Sequence, residues 1–166
     1  IAAAMVPLAI AGTLFLLFAK DSPTRPAPKK FGDYFKVLQQ RDSYWFCLFY
    51  SITFGGFVGL ASFLSIFFCE QYNLSKVSAG DLTALCVFAG SFMRPIGGML
   101  ADRFGGLRIL PFIYGLVSIA LFCIAQLPSV AVATILFFLV LAILGAGNGA
   151  VFQLVPQRFR EQLGLM

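Results

Sequence analysis

The sequence predicts an all-α integral membrane protein, and three observations carry that reading. Hydrophobic residues make up 60% of the 166 residues and charged ones 11%, too little polar surface for a soluble domain of this length. Apolar runs recur at lengths near the roughly 20 helical residues that cross a bilayer. The basic residues lie between those runs, almost all on one side if the spans alternate. Spans in lipid close their backbone hydrogen bonds internally, so each run is expected to be helical.

The runs occupy 1–19, 44–69, 79–101, 107–127 and 130–155. The first, "IAAAMVPLAIAGTLFLLFA", has no basic leader and is followed by Lys20 rather than a small-residue cleavage site, so it reads as a span and not a signal peptide. Residues 20–43 form a basic linker. Its front half holds three prolines and reads as extended. In its back half Phe31, Tyr34, Phe35 and Leu38 recur at helical spacing, the pattern of a short amphipathic helix on the membrane surface. Short turns join the later spans. Ile1 at one end and "EQLGLM" at the other read as cut ends, so a fragment is expected.

Lys20, Arg25, Lys29, Lys30, Lys36 and Arg41 in the linker, Arg103 and Arg108 in "DRFGGLR", and Arg158 and Arg160 in the tail share one side. Lys76 stands alone on the other. The asymmetry places the linker, the 102–108 turn and the tail in the cytoplasm. It also gives the net charge of +5 a topological meaning, so no nucleic-acid partner is expected. Cys47, Cys69, Cys86 and Cys123 show no metal-ligand or redox spacing and histidine is absent, so neither metal nor cofactor is expected. No nucleophile–base pair or nucleotide loop points to an enzyme.

Arg94 stands inside the third run. A charge at a helix centre costs at least about 2.5–3.5 kcal/mol, so it marks either a binding site or a structural ion pair. Counted from the basic residues at the cytoplasmic edge, Arg94, Asn148 and Tyr50 each lie nine or ten residues deep. At about 1.5 Å per residue that is roughly 13–15 Å, near the midplane. Polar groups from three helices at one depth suit a substrate site. Tyr50, Phe54 and Phe57 share one helix face, which either lines a pore or packs as core. Ser51, Gly55 and Gly59 form a neighbouring small face that allows close helix approach. Gly145 and Gly149 repeat that spacing around Asn148, whose other reading is an interhelical hydrogen bond. In "GGMLADRFGGLR" the glycines permit a tight turn, and Asp102 stands where it can pair with basic groups across the surface.

"GGMLADRFGGLRIL" resembles the cytoplasmic-loop motif of the major facilitator superfamily, with Gly98, Asp102, Arg103, Gly105 and Arg108 at the expected offsets. The resemblance implies a partial facilitator fold, five transmembrane helices of an expected twelve. Residues 1–19 would then be helix 6, 20–43 the central linker, and 44–166 an incomplete C-terminal half holding helices 7 to 10. Three stretches, "LFYSITFGGFVGL", "SFMRPIGGMLADRFGG" and "GAGNGAVFQLVPQRF", resemble the nitrate/nitrite porter family more specifically. In that family an arginine of helix 8, paired with one of helix 2, holds the anion, and Arg94 matches it. A tyrosine and a phenylalanine of helix 7 lie beside the anion, and Tyr50 and Phe54 match them. Asn148 is added from its depth alone. The resemblance thus implies a transporter of nitrate or nitrite in the cytoplasmic membrane. Its partners would be a small inorganic anion, the lipid bilayer, protons if transport is coupled to them, and the remaining helices of the same protein. Nitrate/nitrite exchange and proton-coupled uptake both fit, as do a carrier of another small anion and a non-transporting or truncated product.

Overall fold

Burying the helix backbone in its own hydrogen bonds leaves side-chain packing to decide which helices touch. A computed structural model describes residues 2–19 and 40–158. Its helices are α1 (Ala2–Phe18), α2 (Arg41–Tyr72), α3 (Lys76–Phe104), α4 (Gly106–Ala125) and α5 (Val130–Arg158). Helices α2 to α5 are each long and apolar enough to cross a bilayer. At 17 residues, α1 sits at the lower limit for a span. The amphipathic helix expected near residues 31–38, the rest of the linker to 39, and Arg160 lie outside the described residues.

The chain divides into two units, 1–31 and 32–166. In the first, α1 is apolar all round, with Leu8, Phe15, Leu16 and Phe18 exposed, as expected of a helix that meets lipid or other helices on every side.

In the second unit, local chemistry sets the helix ends. Asn73 adopts a left-handed conformation (φ 52°) that stops α2. Ser75 caps α3 by accepting from the Ser78 N–H at 3.2 Å. Gly105, at φ 85°, makes the break between α3 and α4, a backbone state that favours glycine. The Tyr72 hydroxyl donates to the Pro128 carbonyl at 2.7 Å, tying the end of α2 to the α4–α5 turn. Near residues 51–55 α2 relaxes into a π turn and then resumes. Helix α3 runs on through Pro95.

Two apolar clusters form the interior. Phe57, Leu64, Phe68, Cys86, Phe137 and Leu141 belong to the larger. Phe46, Leu110, Val151 and Leu154 form the smaller, near the α3–α4 turn. Many large apolar side chains point outward, Phe88, Phe112 and Phe122 among them, as lipid contact requires.

The tightest packing joins α3 to α5. A Cβ on Gly97 would overlap the Ala146 carbonyl, one on Gly145 the Gly90 carbonyl, and one on Gly149 the Arg94 carbonyl. The obstacles are backbone atoms, so no rotamer change relieves them. The small-residue pattern at Gly145 and Gly149 thus has its partner in Gly90 and Gly97. The face of Ser51, Gly55 and Gly59 differs from expectation. All three are exposed, and a Cβ at Gly55 or Gly59 meets nothing among the described residues.

Gly149→Ala and Gly145→Ala are each expected to push α3 and α5 apart, an overpacking penalty of about 1–3 kcal/mol. The apparent melting temperature of the purified full-length protein should fall. Gly115→Ala, whose Cβ meets nothing within 4 Å, should leave it unchanged.

Candidate functional site

Arg94 emerges from α3 one turn before Gly98, where the backbone of α5 is in contact. Its side chain is half-buried and lies against α2. The guanidinium carbon stands 5.1 Å from the Phe57 ring centroid and 5.6 Å from that of Phe54. Two ring faces therefore meet the cation, each worth about 0.5–2 kcal/mol according to its desolvation. They offset part of the cost of holding a charge in this layer. The Arg94 Nε is buried and has no hydrogen-bond partner among the described residues. No carboxylate among them pairs with this arginine.

Phe54 also stacks on Tyr50, with centroids 5.1 Å apart and planes at 17°. Phe152, from α5, meets Tyr50 in a T-shaped contact with centroids 5.6 Å apart. Asn148 lies one turn before Phe152 and is 2% exposed, with an unpartnered Oδ1. Arg94, Phe54, Tyr50, Phe152 and Asn148 thus come from three helices into one layer. Phe57, under the Arg94 guanidinium, completes it. Sequence spacing put Phe57 on the aromatic face and Phe152 one turn from Asn148, but nothing in it showed that either ring would meet Arg94 or Tyr50.

The π turn sets the aromatic face of α2. A π turn widens the helix by one residue and disturbs the usual carbonyl pairing. Hydroxyls take up the Phe49 carbonyl: Thr53 donates to it at 2.9 Å and Tyr114 of α4 at 3.4 Å. Thr53 also reaches the Tyr50 carbonyl at 3.3 Å and is fully buried. Below the layer a cleft of about 470 Å³ opens between α2 and α5, lined by Phe46, Cys47, Tyr50, Val151, Phe152 and Pro156.

The loop-motif residues gather at the α3–α4 turn. A Cβ on Gly98 would lie 3.7 Å from the Gly149 carbonyl. The Arg103 guanidinium lies over the Phe104 ring at 5.5 Å. The Arg108 N–H donates to the Gly105 carbonyl at 3.1 Å, and its side chain is exposed. Asp102 accepts a short hydrogen bond from the Gln153 amide of α5. Sequence reading expected basic partners for Asp102. Among the described residues its partner is this amide, because α5 passes beside the end of α3, while the Arg103 guanidinium lies over Phe104. Of the cysteines, Cys86 is buried, Cys69 half-buried, and Cys47 and Cys123 exposed.

Residues 1–163 match the family model of the Major Facilitator Superfamily. The chain belongs to the major facilitator superfamily. Among curated relatives, it is 33% identical over 162 residues to a nitrite extrusion protein of Bacillus subtilis, covering 97% of this chain and 41% of that protein. It is 30% identical over 156 residues to a probable nitrate/nitrite antiporter of Thermus thermophilus, covering 82% and 35%. It is also 30% identical over 121 residues to a probable nitrate transporter of Staphylococcus epidermidis, covering 73% and 31%. The resemblance to the nitrate/nitrite porters read from the three sequence stretches agrees with these names. The chain spans about two fifths or less of the length of these relatives. No solved structure matches it.

Thr53→Val is expected to cost about 1 kcal/mol, since the buried hydroxyl that donates to the Phe49 carbonyl is lost. A lower apparent melting temperature, restored by Thr53→Ser, is the outcome to look for.

Proposed function

We propose that this chain is the part of a nitrate/nitrite transporter that supplies one arginine and the aromatic wall of its anion site. The observation that carries the reading is Arg94: a guanidinium within a membrane-spanning helix, seated on two phenyl rings, with a buried donor that no described residue takes. The names of the relatives support the choice of anion. In this reading the five helices correspond to helices 6 to 10 of a twelve-helix carrier. The 102–108 turn and the linker face the cytoplasm, as their Lys and Arg content argues.

Nitrate is planar and monovalent, and a guanidinium presents a planar fork of donors that matches two of its oxygens. Arg94 binds the anion through that fork, and Tyr50 and Phe54 wall it from lipid and from bulkier anions. Asn148 lies at the same level. A second arginine, which the family resemblance assigns to helix 2, completes the pair. The two halves rock about this site to expose it alternately on each side. Occluding two unneutralised arginines costs more than occluding them with an anion bound, so the empty carrier reorients reluctantly. That penalty favours exchange of nitrate for nitrite over one-way transport. The loop motif, with Asp102 held by Gln153, steadies the ends of α3 and α5 during the motion.

The full-length protein in proteoliposomes loaded with nitrite should take up external nitrate, independently of a proton gradient. Arg94→Lys keeps the charge and loses the fork, and should lower nitrate uptake at least a hundredfold. Uptake that follows the gradient would instead make the carrier proton-coupled, and wild-type affinity in Arg94→Lys would remove Arg94 from the site.

A further inference from the structure

Two buried side-chain atoms among the described residues lack a partner: Nε of Arg94 and Oδ1 of Asn148. One is a donor and the other an acceptor. Leaving either unpaired in an apolar interior is costly, and together they form one complementary pair. Their helices are in backbone contact at this level, since Gly149, next to Asn148, abuts the Arg94 carbonyl. Leu141, Asn148 and Phe152 recur at helical spacing along one face of α5. Leu141 borders Gly90, which a Cβ would drive into Phe57, and Phe152 meets Tyr50. Asn148 therefore lies between the two ends of the aromatic wall that holds Arg94.

From this arrangement we infer that Asn148 is a positioning residue for Arg94: its Oδ1 accepts from the Arg94 Nε–H when the site closes on an anion. The inference rests on the proposed anion site and assigns Asn148 a specific part in it. An acceptor oxygen repels an anion, so this atom serves the arginine and not the substrate. Beside a guanidinium an amide turns its oxygen toward the cation. Engaging Nε fixes the guanidinium plane and leaves the two Nη groups aimed at the anion as a fork. In the present structure the guanidinium rests on Phe54 and Phe57 instead, and a rotation of the long arginine side chain off the rings brings Nε to the amide.

The orientation of a planar fork matters for a planar anion and not for a spherical one. Nitrate and iodide binding to the purified full-length protein distinguish the two. Asn148→Ala is expected to weaken nitrate about tenfold, the scale of one charge-assisted hydrogen bond, and to leave iodide unchanged. Asn148→Leu, which keeps most of the volume, should give the same split, and Asn148→Ser, which keeps an acceptor, should recover part of the loss. In an Arg94→Lys background, which has no Nε–H to position, Asn148→Ala should change neither affinity. Equal losses for both anions, an unchanged nitrate affinity, or a further loss in the Lys background would each overturn the inference. If Arg94→Ala itself leaves both affinities intact, the anion site falls and this role with it; an Arg94 effect without an Asn148 effect removes only the positioning role.

Discussion

The backbone contact between α3 and α5 is the constraint from which the rest of this structure follows. In lipid there is little hydrophobic drive to bring helices together, so close packing and interhelical hydrogen bonds must do it. Gly90 and Gly97 on one helix and Gly145 and Gly149 on the other remove the side chains that would hold the axes apart. The contact runs through the Arg94 carbonyl. It therefore fixes the height and bearing of the arginine without using its side chain, which remains available for other work.

If Arg94 serves the proposed anion site, its charge must be held both with and without an anion. A permanent carboxylate partner would neutralise Arg94 and compete with any substrate. Two phenyl faces stabilise the cation through their quadrupoles and carry no charge to be displaced. Tyr50 and Phe152 extend the same wall toward the cleft between α2 and α5. The π turn joins this wall to α4, because the Tyr114 hydroxyl reaches the Phe49 carbonyl next to Tyr50. The widened turn and the hydroxyls of Thr53 and Tyr114 on the Phe49 carbonyl thus tie the aromatic face of α2 to α4.

Composition and hydrophobic runs were enough to read helices α2 to α5 to within a few residues, because a bilayer admits so few backbone solutions. The start of α2 was read three residues late. Arg41, Asp42 and Ser43 are polar, and hydropathy alone does not show a helix that continues past the apolar region. The facilitator loop was legible in "GGMLADRFGGLR" because a tight turn with φ 85° at Gly105 favours glycine there. The glycine-lined contact was only half legible. Gly145 and Gly149 stood out at four-residue spacing, while Gly90 and Gly97, two turns apart, did not. The small face of Ser51, Gly55 and Gly59 had an equally good pattern and is exposed, with nothing among the described residues within 4 Å of a Cβ at either glycine.

By itself, then, the sequence determined that the protein is a bundle of membrane helices, that an arginine is held inside one of them, and which residue types lie at its depth. These follow from local rules: the cost of an exposed backbone, the cost of a buried charge, and the rise of a helix. Only the tertiary structure decided that Phe54 and Phe57 receive the guanidinium, that Phe152 meets Tyr50, and that Gln153 holds Asp102. It also left Nε of Arg94 and Oδ1 of Asn148 as complementary atoms with no partner among the described residues. The physical reason is that periodicity gives the face a residue occupies on its own helix, whereas its partner depends on how two helices rotate and slide against each other. That is set by the closest backbone approach, which no single helix encodes.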